Sequence, residues 1–232
     1  MVLLSIESSA LVASVALVDE DKVIAEYTVN FKKTHSQTLM PMVDEICKMC
    51  EMDLKTLSGV AISRGPGSFT GLRIGSSSAK GIAYALNIPI VEVPTLEAMA
   101  YNLWGSEKLI VPIMDARRDQ VYAGAYSFDS DGLPSSVLSE RAVSIDELIM
   151  DLKKIGRAAI FLGDGVPRFR NAIDEKLDLD HSYAPQNNSA QRAASVGSLG
   201  ILYLKRGISV SAFSHKPVYL RKSQAERMRE DA

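Results

Sequence analysis

The chain has 232 residues, 47% of them hydrophobic, with 26 Lys and Arg set against 28 Asp and Glu for a net charge of −2. That size suits one large domain or two small lobes around a sizeable core, and the near-neutral charge excludes a protein that grips nucleic acid through its overall field. The N-terminus lacks a basic leader and no apolar run reaches the length of a membrane span, so a soluble, cytoplasmic chain is expected.

Residues 2–7, 12–19 and 22–29 carry strand patterns joined by short turns. Thr34 and Gln37 fit a capping box ahead of a helix running to about Met52, with Pro41 in an early turn or at a kink. On that helix Leu39, Val43, Ile46 and Cys50 fall near one line. Met40, Met42, Cys47 and Met49 widen the apolar sector to roughly half the circumference, more than packing on one sheet requires. Cys47 and Cys50 form a C-x-x-C pair, but late in the helix, where nothing lowers a thiol pKa, and without further ligands; buried reduced thiols are expected. A strand at 59–63 leads into "SRGPGSFTGLRIG" (63–75). There Gly65, Gly67 and Gly71 permit close backbone approach, Pro66 stiffens the turn, Arg64 can steer an anion, and a helix over 71–86 offers its N-terminus. The loop has neither P-loop nor dinucleotide spacing, so a ligand cradle and a structural elbow stand as equal readings. "IPIVEV" (88–93) is the next strand.

From residue 109 the order restarts, with strands at 109–115, 120–128 and 137–143, the last two joined by a turn containing Asp131 and Gly132. A helix over 144–155 opens with a second capping box, Ser144 to Glu147, then a strand covers 158–162 and a helix 189–206. The repeated order predicts an α/β fold of two ribonuclease-H-like lobes, 1–104 and a smaller 105–232, on the plan of the actin-like ATPases and sugar kinases. In that plan phosphates lie between the lobes, and the first hairpin carries an aspartate that handles the metal. Glu7, one methylene longer, stands there with Ser8 and Ser9, which could donate hydrogen bonds to a ligand, although serines after a strand satisfy backbone groups more often than ligands. Asp115 and Arg117, at a strand end facing the cleft, read as nucleotide or partner contacts or as a local ion pair.

The glycine loop, with "HSQTLMP" (35–41), "DARRDQVYAGAY" (115–126), "LGDG" (162–165) and "PVYLRKS" (217–223), resembles the bacterial TsaB (YeaZ) family. That family supplies a subunit of the machinery that installs N6-threonylcarbamoyladenosine beside the tRNA anticodon. It is a paralogue of the catalytic subunit TsaD and works with the ATPase TsaE. The resemblance implies a noncatalytic scaffold that pairs with TsaD, self-associates as a homodimer when alone, and meets tRNA only through the complex. It implies no cofactor of the chain's own, with ATP or ADP at most at the subunit boundary. The paralogue holds its metal with two histidines at i and i+4; here His35 is followed by Leu39, and neither His181 nor His215 has ligand-like neighbours in sequence, so no metal site is expected. The expected partner interface joins Leu39, Met40, Met42, Val43, Ile46, Met49 and Cys50 to Gly71, Gly75 and Ser78 of the next helix. "LGDG" is either a vestige of an adenosine loop or an ordinary turn. Lys216, Arg221, Lys222, Arg227 and Arg229 give a mild basic bias to a solvated tail. The opposing reading is a self-sufficient enzyme, an ATP user of the sugar-kinase type or a metallopeptidase.

Overall fold

The computed structural model describes residues 1–221. The first sheet comprises β1 (Val2–Glu7), β2 (Ala13–Asp19), β3 (Val23–Val29), β4 (Gly59–Ser63) and β5 (Ile90–Val93), in the order β3-β2-β1-β4-β5. The second comprises β6 (Leu109–Asp115), β7 (Gln120–Phe128), β8 (Pro134–Ser144), β9 (Ala159–Leu162) and β10 (His181–Tyr183), ordered β10-β9-β6-β7-β8. Each sheet joins three antiparallel strands to two parallel ones in the same sequence, so the second repeats the first. The predicted pair of ribonuclease-H-like lobes is the observed architecture.

Helix α1 (His35–Met49) and α2 (Phe69–Leu86) cover one face of the first sheet, burying Leu39, Val43, Ile46 and Ala79 against Leu4, Ile6 and Ile62. The predicted capping box at Thr34 does not form: Thr34 makes no side-chain cap, although its carbonyl accepts the Gln37 amide at 3.0 Å. The second box does form in both directions, Ser144 and Glu147 capping α4 (Ile145–Ile155). That helix and α5 (Val166–Lys176) pack on the outer face of the second sheet. Between the sheets lies α3 (Thr95–Tyr101), its Ala98 against the first core and its Leu96, Met99 and Ala100 against Ile110, Met114 and Leu162. A four-residue helix, α6 (Gln186–Ser189), precedes α7 (Ala193–Lys205).

Contrary to the expected division, residues 105–232 do not make a lobe by themselves, because α7 returns to the first sheet and packs Ala193, Val196 and Leu199 against Leu3, Ala16, Ala61 and Val91. Its N-terminus is docked on that sheet: Glu26 of β3 accepts from the Ala194 amide at 2.9 Å and from Arg192 at 2.6 Å, and Ser14 accepts from the Ala193 amide at 3.1 Å. A carboxylate at a helix start is matched to the free amides there. The boundary at 104/105 therefore follows chain order but not packing.

Candidate functional site

A cleft of about 990 Å³ separates the lobes. Its first-lobe wall is the β1–β2 turn (Ser9, Ala10, Leu11), Lys33, His35 and residues 67–70; its second-lobe wall is the β6–β7 turn (Asp115 to Arg118), Tyr122 and Asp164; Tyr219, Leu220 and Arg221 complete the rim. Lys33, Arg117, Arg118 and Arg221 outnumber Asp115 and Asp164, and the N-terminus of α2 opens into the same space, so the charge of the lining is net positive.

The glycine loop turns out to be a tight elbow whose exposed tip still faces the cleft. Gly67 lies against the carbonyl of Ser9 and Gly71 against that of Ser8, with no space for a Cβ at either. The Ser68 amide donates to Ser9 O at 2.6 Å, and Ser8 Oγ donates to Gly71 O at 3.0 Å. Glu7 and Ser8, expected as nucleotide or anion contacts, therefore lie beneath the cleft floor, and Ser9 borders it while fully buried. The Glu7 side chain is 1% exposed and accepts the Ser9 amide at 2.6 Å. Burial pushes its carboxyl up, the hydrogen bond from the Ser9 amide opposes the rise, and the negative charge of Asp164 across the lobes adds to it. Asp164, in the "LGDG" turn, is raised in the same direction, first by the surrounding protein and further by Asp115, against a hydrogen bond from Gln191. This turn is thus part of the cleft wall.

Arg64 and Gly65 do not line the cleft. Arg64 faces Glu97 and Glu140, whose carboxyls burial raises and Arg64 partly restores. Gly65, at φ 118°, presses on the Val218 carbonyl and accepts the Thr95 amide at 2.9 Å. Asp115 and Arg117 do line it. Asp115 accepts the Arg117 amide at 2.7 Å and pairs with Arg168 at 3.1 Å, while Arg168 also holds Asp119 at 2.7 Å. Arg117, Arg118 and Asp119 all have φ between 53° and 60°, a left-handed turn that projects both arginines outward. Sequence reasoning missed Arg118, Tyr219 and Asp164 as cleft residues; "DARRDQ", "PVYLRKS" and "LGDG" were the signals that could have found them.

The expected interface divides in two. Leu39, Met42, Val43 and Ile46 are buried in the first core and Cys50 is half-buried against it, while Gly71 and Gly75 are taken up by contact with Ser8. The half-circumference stripe is explained by the sheet, which takes Met42 as well as the central line. What remains outside is Met40, 46% exposed, Met49, 69% exposed, and a groove of about 500 Å³ between α1 and α2 lined by Met40, Leu54, Ser77, Ser78, Gly81, Ile82, Ala85 and Leu86. Cys47 is buried and both cysteines are reduced.

His35 Nε2 donates to Val12 O at 3.1 Å, tying α1 to the first hairpin. The other two histidines are hydrogen-bonded through the fold: His181 to Asp174 at 3.0 Å, and His215 to Glu92 and Ser76. Among the described residues no group of three or more His, Cys, Asp or Glu is placed to hold a metal, and no helix is long and apolar enough to cross a membrane. Lys222, Arg227 and Arg229 lie outside the described residues.

The chain matches the family description "TsaD: tRNA N6-adenosine threonylcarbamoyltransferase" over residues 22–227. It is 35% identical to the tRNA threonylcarbamoyladenosine biosynthesis protein TsaB of Bacillus subtilis, across 97% of this chain and 96% of that one. The solved structure of YeaZ from Pseudomonas aeruginosa superposes with a TM-score of 0.77 at 26% identity, covering 94% of this chain and 99% of that one. An inorganic polyphosphate/ATP-glucomannokinase from Arthrobacter sp. strain KM shares the fold at a TM-score of 0.50 and 10% identity, over 89% of this chain and 99% of that one. With two sheets of one topology, a cleft between them and relatives matched nearly end to end, the chain belongs to the TsaB (YeaZ) family of tRNA threonylcarbamoyladenosine biosynthesis proteins.

Proposed function

We propose that this chain is the noncatalytic scaffold subunit of the threonylcarbamoyladenosine machinery, docking a TsaD-type threonylcarbamoyltransferase on the exposed face of α1 and α2. The observation that carries the reading is the apolar groove between those helices, bordered by Met40, which the chain's own core leaves uncovered. A flexible thioether beside a groove lined by small residues suits a partner helix. Alone, the chain uses the same face to form a homodimer. TsaE joins the assembled complex, and tRNA is met through the complex in the cytoplasm. The chain has no cofactor of its own, and ATP or ADP sits at most at the subunit boundary of the complex.

The test is a Met40→Glu, Ala85→Glu variant, both positions lining the groove, co-expressed with the cognate TsaD. Both side chains are exposed, so the monomer should melt as wild type does. Unpaired carboxylates in an apolar contact cost association several kcal/mol. Complex recovery and threonylcarbamoyladenosine formation should fall together. Normal complex formation overturns the docking face. ATP hydrolysis by the isolated wild-type chain, lost on Asp115→Ala, overturns the scaffold reading in favour of an independent ATP-using enzyme.

A further inference from the structure

Beyond α7 the chain becomes a strap, residues 208–221, that recrosses the first lobe and ends in the cleft. It first bridges the free edge of β5, the Val210 amide donating to Ile90 O at 2.8 Å and the Ile90 amide to Val210 O at 2.9 Å. It then crosses α2, where His215 is 0% exposed. His215 Nδ1 stands 2.7 Å from Glu92 Oε1, and Nε2 stands 2.9 Å from Ser76 Oγ. The Lys216 amide donates to the same Glu92 oxygen at 3.3 Å. Further on, the Val218 amide donates to Arg64 O at 2.7 Å, and the Tyr219 ring lies 4.7 Å from that of Phe69, whose other partner is Arg73 at 3.9 Å. Arg221 crosses to the second lobe and donates to Ala116 O at 2.8 Å.

Little apolar burial holds this segment. Val210 and Ala212 are partly buried against the first core, whereas Ile208 and Phe213 are 53% and 76% exposed. Its seating is mainly polar and centres on one imidazole. The Glu92 carboxylate can only accept, which places the ring proton on Nδ1 and leaves Nε2 to accept from the Ser76 hydroxyl. A second proton turns Nε2 into a donor aimed at a hydroxyl that was donating, and it places a cation in a site with no access to water.

We propose that Ser76, His215 and Glu92 form a proton-sensitive latch on the strap, and that protonation of His215 releases residues 208–221 and opens the cleft wall formed by Tyr219, Leu220 and Arg221. The charged groups facing the imidazole are Lys80 from α2 and Glu92 from β5. Burial disfavours the imidazolium, Lys80 adds to that, and Glu92 opposes both; the net direction is downward from the ordinary histidine value. The folded strap thus binds the proton more weakly than the released one. The contribution of the latch is complete above about pH 6.5, the ordinary histidine value, and is lost as pH falls from there through the lower value of the seated ring.

Hydrogen exchange of the full chain read by mass spectrometry, corrected for intrinsic rates, tests this between pH 5 and 8. Protection of peptides covering 208–221 should fall by up to about tenfold per pH unit below the ordinary histidine value, while peptides of α4 stay constant. In His215→Gln, which keeps a polar side chain but cannot titrate, strap protection should be independent of pH. A strap that follows α4 in the wild type overturns the latch, and so does an unchanged pH dependence in His215→Gln. Should that variant fail to fold, the His215 Cε1 proton resonance of the wild type serves instead. Titration coincident with strap exchange supports the latch, and titration without it overturns it.

Discussion

Gly71 lies against the carbonyl oxygen of Ser8, with no space for a single added carbon between them. Loop and first hairpin are therefore one packed unit, and a methyl group there has to push backbone from backbone. Gly71→Ala should destabilise the fold by about 1–3 kcal/mol, the usual cost of overpacking. Gly81, further along α2, has open space on the side where a Cβ would project, and Gly81→Ala should stabilise by about 0.5–1 kcal/mol through helix propensity. Urea denaturation midpoints of the two variants should move in opposite directions; a shared direction contradicts the packing.

Met42 and Met49 belong to the same helix and to different environments. At 8% exposure Met42 is part of the core, so Met42→Ala should cost about 2–5 kcal/mol. Met49 at 69% exposure has no such role, and Met49→Ala should stay within about 0.5 kcal/mol of wild type. Thermal unfolding of the isolated chain measures both.

The buried carboxyl of Glu7 sets a pH dependence. Its value in the folded chain is raised above the unfolded one, so folding takes up a proton. The stabilisation this gives is present below about pH 4.3, the ordinary glutamate value, and is lost as pH rises through the higher folded value. Glu7→Gln, which retains an acceptor for the Ser9 amide, should flatten that part of the stability profile and raise stability at neutral pH. A profile unchanged by the substitution, measured by denaturation at stepped pH, is incompatible with this account.

The turn from Arg117 to Asp119 holds three consecutive non-glycine residues in left-handed conformation. Each carries a steric cost that glycine avoids, so Arg118→Gly should raise stability by roughly 1 kcal/mol or less once glycine's extra unfolded freedom is subtracted. Arg168→Ala unties Asp115 and Asp119 from the same turn; because the three side chains are partly to largely exposed, its cost should stay under about 1 kcal/mol. Denaturation curves of the two single variants decide both signs.

Strand patterns and the doubled order of elements were readable because alternation and turn chemistry are local. Elements α3, α5 and β10 were not: α3 has seven residues and no side-chain cap, α5 buries only Val166, Phe169 and Ile173, and β10 has three residues. In the candidate site, Asp115 and Arg117 were legible as a strand end facing the cleft. The division of the α1 stripe was not, since a helical wheel gives the angle of Met42 but not how far round the sheet extends. Nor was the polar chain through His215, whose partners lie 139 and 123 residues away in sequence.

The return of α7 to the first sheet also decides the order in which the molecule can be completed as it leaves the ribosome. Strands β6 to β10 and their outer helices are contiguous between Leu109 and Tyr183, so the second lobe has its whole sheet available while the first still lacks a cover for Leu3, Ala61 and Val91. That apolar face stays open until residues near 205 have emerged, and closing it joins parts of the chain almost two hundred residues apart. Such long loop closure is slow. The first lobe, begun first, is finished last, and its bare sheet is the surface a nascent chain of this family has to keep from sticking to its neighbours.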